Sequence, residues 1–175
     1  MNFEEKKIAS KTIYDGRILK LVVDDIVLPD GSSAKREIVR HSGGAAVLFI
    51  KDNKVLLVRQ FRYAYGKEIY EIPAGKLNEG EDARIAAARE LEEETGYKAE
   101  LVHLMDIYPT PGYTDEIIHI FFAENSTRSQ QKLDEDEFLS AELIPLERVL
   151  EMIESGEICD AKTVAAIYKY LHKNK

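Results

Sequence analysis

The chain predicts an α+β fold, because β-rich segments lie on both sides of one long helical stretch and two further helices close the sequence instead of alternating with strands. Apolar runs at 45–50 and 55–62 read as strands, and residues 82–95 carry the composition and the terminal signals of a helix. With 175 residues, 45% of them apolar and 32% charged, the chain suffices for one sizeable core.

Taken in order, Ile18 to Leu28 is β-rich and partly alternating. Pro29-Asp30-Gly31 supplies turn chemistry, and Ala34 to His41 returns as a partner strand, so the N-terminal region is expected to be an antiparallel β hairpin subdomain. After Gly43-Gly44 comes AAVLFI, then Asp52-Asn53 as a turn, then VLLVRQFR, a second strand pair with a buried run. Gly80 or Asp82 opens a helix through Thr95, with Gly96 placed to cap it. Leu101 to Tyr108 and Glu116 to Glu124 read as strands around the loop from Pro109 to Asp115. Pro145 falls in the first turn of a helix ending near Gly156, and Asp160 can cap a last helix through Leu171. The organisation expected is an N-terminal strand region at 1–42 and a main domain at 43–175.

The formal net charge of −8 opposes nucleic acid and anionic membrane, and no long Lys/Arg run offsets it. A small phosphate ester is still admissible, because bound cations can reverse the sign of a carboxylate-rich pocket. No run approaches the roughly 18 apolar residues of a membrane span. The start, MNFEEKKIAS, lacks the apolar core of a secretion signal, and the single cysteine, Cys159, suits a reducing compartment, so a cytoplasmic protein is expected.

The most informative stretch is GKLNEGEDARIAAARELEEETGY, Gly75 to Tyr97. At about 100° per residue, Glu90 and Glu94 lie roughly 40° apart and share the direction of Ala83 and Ala87, whereas Glu92 is roughly opposite. Two carboxylates on the small-residue stripe are aimed at the protein or at a cleft in it, and such crowding needs a counter-charge. Oxygen ligands without histidine or cysteine favour hard ions, magnesium first, with manganese able to substitute. Arg89, one turn before Glu93, is placed to hold that carboxylate. The competing reading is an exposed acidic helix with ordinary salt bridges.

These residues resemble the Nudix box: Gly75, Glu81, Arg89, Glu90, Leu91, Glu93, Glu94 and Gly96 all fall in register, and only the aromatic Tyr97 departs from an expected aliphatic residue. VRQFRY at Val58 to Tyr63, EIPAGKL at Glu71 to Leu77 and YPTPGYTDE at Tyr108 to Glu116, with Pro111 as marker, are similar to the ADP-ribose pyrophosphatase branch of that family. The resemblance implies the Nudix fold, an α/β/α sandwich around a mixed sheet. It also implies hydrolysis of ADP-ribose at its pyrophosphate link, giving AMP and ribose 5-phosphate. The metal ligands carried over are Glu90, Glu93, Glu94 and the backbone carbonyl of Ala74. A homodimer is implied too, with the N-terminal strands reaching the neighbouring subunit.

In this branch the base that activates water comes from an acidic loop after the box, which points to Leu133 to Phe138, with Glu137 first and Glu135 second; plain solvated charge is the other reading of that loop. Arg59 and Arg62 fall on different faces of a strand, and one of them is expected to hold the distal phosphate or ribose, edge salt bridges being the alternative. Glu116, Pro111 and Gly112 complete the expected substrate contacts, and Tyr14, Phe61 and Tyr113 are candidate adenine stackers. The four histidines show no metal-ligand spacing; His103 and His119 are expected to be partly buried in strands. Two alternatives stand beside ADP-ribose hydrolysis: a pyrophosphatase for other nucleoside diphosphate sugars or nucleotides, and a non-catalytic binding module on the same fold.

Overall fold

The computed structural model describes residues 2–133 and 137–173, which divide into two compact units: 1–43 with 108–117, and 44–107 with 118–175.

The first unit is a three-stranded antiparallel sheet, β1 (Lys6–Asp15), β2 (Leu19–Val27) and β3 (Ser33–His41), in that spatial order. The hairpin read from the sequence is β2 and β3; β1 is a strand the sequence reading did not assign. Its ten residues are exposed throughout, so no period-two alternation marks it. The segment 108–117, which follows a strand of the second unit, is tied to β3. Val39 donates to the Tyr113 carbonyl at 2.7 Å, and His41 N and Arg40 Nη1 donate to Asp115 at 2.9 and 3.0 Å.

The second unit is a mixed sheet between helices. Its strands are β4 (Gly44–Lys51), β5 (Lys54–Arg62), β6 (Lys67–Glu71), β7 (Ala74–Lys76), β8 (Tyr97–Ile107), β9 (Ile118–Arg128) and β10 (Leu139–Pro145). They run in the order β10-β5-β4-β9-β8, with β6 on β5 and β7 on β4. Asp52 and Asn53 take positive φ values of 49° and 58° between β4 and β5, the conformation a two-residue hairpin turn requires. β4 and β9 pair in parallel, which makes the sheet mixed.

Helix α1 (Ala83–Thr95) begins at Asp82, whose carboxylate accepts from Arg84 N and Ile85 N, and ends at Gly96 with φ 67°. Its buried face packs with Ala45, Val47, Phe49, Leu56 and Phe121 on one side of the sheet. On the other side α2 (Leu146–Glu154) and α3 (Ala161–Lys173) bury Val149, Met152, Ala166 and Ile167 against Ala46, Leu48, Leu57 and Ile120. This is the α/β/α sandwich expected. Several boundaries differ from the sequence reading: β9 starts at Ile118 instead of Glu116, β8 starts at Tyr97 instead of Leu101, and Pro145 ends β10, a strand not assigned from the sequence, and stands at the cap position before α2 instead of inside its first turn. No helix among the described residues is long and apolar enough to cross a membrane.

Candidate active site

The site is built on α1 and on β7 beside it. Glu90 and Glu94 are 8% and 2% exposed and lie with Ala86, Ala87 and Leu91 on the buried face of the helix. The geometry therefore departs from that of a solvated acidic helix. Gly75, in β7, lies against the Glu90 carboxyl: a Cβ there would stand 1.9 Å from Glu90 Cδ. Ala74 N, one residue earlier, donates to Glu94 Oε2 at 3.0 Å.

Arg89 gathers the remaining carboxylates. Its guanidinium donates to Glu81 at 3.1 and 3.2 Å, to Glu90 Oε1 at 2.7 Å and to Glu93 Oε2 at 3.1 Å. Glu81 also accepts from Asn78 N at 2.9 Å, which ties the loop before α1 to the same cluster. Charge-assisted bonds of this kind fix where each carboxylate points. Arg89, Glu92 and Glu93, with Ser129, Gln130 and Lys132, line an open cleft of about 740 Å³.

Burial pushes the Glu94 carboxyl up to about 8, with Glu90 and Glu137 adding to the effect and Ala74 N and Arg62 opposing it. Burial also raises Glu90, partly offset by Arg89, while Glu93 and Glu137 push the same way. Glu137 is thus close enough for its charge to act on both carboxyls. Glu135 lies outside the described residues.

The residues expected to contact substrate divide between the units. In the second, Arg59 pairs with Glu68 at 2.5 Å and stands over the Tyr70 ring, an exposed arrangement, whereas Arg62 Nε donates at 2.7 Å to the buried Glu71 and feels the charge of Glu94. In the first, Pro111 and Gly112 form the turn closed by Tyr113 N and Thr114 N on the Thr110 carbonyl, and Glu116 lies 3.5 Å from His41 Nδ1. Phe61, Tyr14 and Tyr113 are all exposed.

Two constellations were missed from the sequence. One is the buried group of Glu71, Lys162, Asp160 and Thr163 beside Arg62. The other corrects half of the expectation of partly buried histidines: His119 is partly buried, but His103 is exposed, and both contact Asp106 Oδ1 at 2.8 Å. β8 carries a bulge between His103 and Met105, and periodicity cannot reveal a bulge.

The donor set suits a hard divalent ion: buried, oxygen-only, negatively charged, and with a glycine making room for one carboxylate. Among the described residues no three His, Cys, Asp or Glu side chains are gathered tightly enough to hold an ion as they stand, because Glu90 and Glu93 are turned to Arg89 and Glu94 to Ala74 N.

Comparison with known proteins places these observations. The NUDIX domain model matches residues 40–167, and the model for the nucleoside diphosphate sugar hydrolase N-terminal domain matches 5–39. An ADP-ribose pyrophosphatase of Bacillus subtilis (strain 168) is 47% identical over 170 residues, covering 95% of this chain and 92% of that protein. A methanol dehydrogenase activator of Bacillus methanolicus is also 47% identical, over 94% of this chain and 91% of that protein. Among solved structures, one titled "Crystal structure of ADP compounds hydrolase" aligns with a TM-score of 0.86 at 21% identity, over 98% of this chain and 95% of that one, a likeness of fold. The box geometry and the domain match over most of the sequence lead to one conclusion: the chain belongs to the Nudix family.

Proposed function

We propose that this protein hydrolyses the pyrophosphate link of ADP-ribose to AMP and ribose 5-phosphate. The observation that carries the reading is the pair of buried carboxylates, Glu90 and Glu94, set on a complete box in a chain 47% identical to an ADP-ribose pyrophosphatase. Nudix hydrolases use a divalent metal. Magnesium is the ion proposed, with manganese able to replace it, held by Glu90, Glu93, Glu94 and the Ala74 carbonyl. When bound, the ion supplies positive charge to the diphosphate oxygens and makes a nearby water easier to deprotonate.

The chain's own residues supply the rest. Glu137, whose charge already acts on Glu90 and Glu94, accepts the proton of the attacking water; Glu135 is the second candidate. Arg89 keeps Glu90 and Glu93 aimed. Arg62 has its terminal amino groups available for a phosphate oxygen, and Arg59, Glu116, Pro111 and Gly112 are proposed as further substrate contacts. Proton transfer to a carboxylate and charge neutralisation suffice, so no covalent intermediate is required.

The two-part organisation, residues 1–42 for dimerisation and 43–175 for hydrolysis, belongs to this proposal, as does a cytoplasmic homodimer. The ten exposed residues of β1, Ile8, Ile13 and Tyr14 among them, support pairing with a second copy; light scattering that returned a monomer would sink it.

The test is AMP release from ADP-ribose beside other nucleoside diphosphate sugars and nucleoside triphosphates, with magnesium and with chelator. Chelator-sensitive preference for ADP-ribose is expected. Preference for another member overturns the substrate and keeps the site. The likeness to a methanol dehydrogenase activator gives a regulatory reading its place: no cleavage of any member would favour that reading, although retention of every box glutamate argues for turnover. Glu94→Gln should cost about a thousandfold in kcat with the fold intact.

A further inference from the structure

Beside the carboxylate centre lies a buried ionic group that the chemistry above does not use. Glu71, at the end of β6, is 3% exposed; Lys162 and Thr163, in the first turn of α3, are 7% and 0% exposed. Glu71 spends its two oxygens on two different cations: Oε1 accepts from Lys162 Nζ at 2.5 Å, and Oε2 accepts from Arg62 Nε at 2.7 Å. Lys162 is itself fixed by Asp160 Oδ1 at 3.0 Å. The other oxygen of Asp160 accepts from Thr163 N and Thr163 Oγ1 at 3.0 and 2.5 Å, and Thr163 Oγ1 in turn accepts from Ile72 N at 2.9 Å.

A buried carboxylate and a buried ammonium, each with a further charged partner, are a costly way to join a helix to a strand; apolar packing of similar volume would hold as well or better. What the ionic group supplies is a direction. A carboxylate left alone with an arginine takes it in a two-pronged fork, through Nε and a terminal nitrogen together. Here Lys162 occupies Oε1 and Glu71 meets Arg62 through Nε; among the described residues no hydrogen bond joins either terminal amino group of Arg62, a side chain 40% exposed, to Glu71. Burial tends to raise the Glu71 carboxyl, yet Lys162 and Arg62 outweigh it and hold the group ionised.

We propose that Lys162 is a positioning residue for the substrate diphosphate: by claiming one oxygen of Glu71 and anchoring it to Asp160, it keeps Arg62 singly bonded and its terminal amino groups free for a phosphate oxygen. This rests on the reading of Arg62 as a phosphate contact given above. The Thr163–Ile72 bond holds the strand that carries Glu71, so α3 sets the reach of Arg62 without touching substrate.

The test is Lys162→Met, which removes the cation and keeps the volume, in the wild-type and Arg62→Ala backgrounds, with Asp160→Asn as a milder variant that retains the helix cap. For ADP-ribose the expected result is a KM raised about tenfold with kcat within about twofold, no further rise in the Arg62→Ala background, and a smaller rise of about threefold for Asp160→Asn. A crystal structure of Lys162→Met should show Glu71 forked on Arg62. Effects on kcat and KM that simply add to those of Arg62→Ala, or a Glu71–Arg62 contact left as one bond, would overturn the proposal. If the wild type cleaves no nucleotide, the activity reading falls while the crystal structure still decides the role of Lys162. If Lys162→Met does not fold, an unchanged KM in Asp160→Asn overturns it instead.

Discussion

Gly75 is the residue at which backbone and chemistry meet most closely. A Cβ there would overlap the Glu90 carboxyl, and that carboxyl, being the end of a side chain, can swing away at small structural cost. Gly75→Ala should therefore separate activity from stability: turnover at least about tenfold lower, with the unfolding free energy changed by no more than about 1 kcal/mol, because the glutamate gives way and the fold does not. Steady-state kinetics and a urea titration on one preparation check both halves. A second residue-level expectation concerns acid. The Glu71 carboxyl lies below its ordinary value once Lys162 and Arg62 have outweighed burial, so in the unfolded chain it binds a proton more readily than in the native state. Its contribution to stability is complete above the ordinary glutamate range, about 4.3, and is lost as pH falls through the depressed native value. Between pH 5 and pH 3 the urea midpoint of Glu71→Gln should fall less than that of the wild type. The spacing of Glu90 and Glu94 was legible because both sit within little more than one turn. The Glu71–Lys162 bond was not, since it joins residues 91 apart in sequence and only the fold brings them together.

At the scale of elements, α1 carries its boundaries in its sequence: Asp82 supplies the side-chain oxygen at one end and Gly96 the left-handed backbone at the other. Gly96 is doubly constrained, since a Cβ would also stand 2.8 Å from Gln131 N. Gly96→Ala is expected to cost about 1–3 kcal/mol in unfolding free energy, more than the usual left-handed penalty, because the loop after β9 must move as well. A thermal midpoint within a degree of wild type would contradict this. The elements that escaped the sequence reading share a physical cause. β6 and β7 span five and three residues, too few for a period to register. β1 has no buried face to alternate with, and β10 is specified chiefly by its partner β5, some eighty residues earlier. By contrast, the apolar runs of β4 and β5 are buried at nearly every position, and continuous hydrophobicity is visible without a partner.

For the whole molecule, the fold class followed from the order of elements and the layers on the two sides of the second unit's sheet from the family resemblance, whereas the membership of 108–117 in the first unit followed from neither. That segment joins β3 partly through backbone bonds, and backbone groups are the same in every sequence; the Asp115 side chain that completes the link meets residues some seventy-five positions earlier. The parallel pairing of β4 with β9 carries a further consequence, for kinetics. Every partner across that ladder is roughly seventy residues away along the chain, so loop-closure entropy must be spent before the pair yields any return. The sheet on which α1 is seated is therefore expected to complete late, so that β7 meets the α1 carboxylates only after the folding barrier has been crossed. Magnesium should then leave the refolding rate nearly unchanged and slow unfolding instead, shifting one limb of a chevron plot and not the other. In a cell this would make the ion a guard on the lifetime of the folded chain, with no part in producing it.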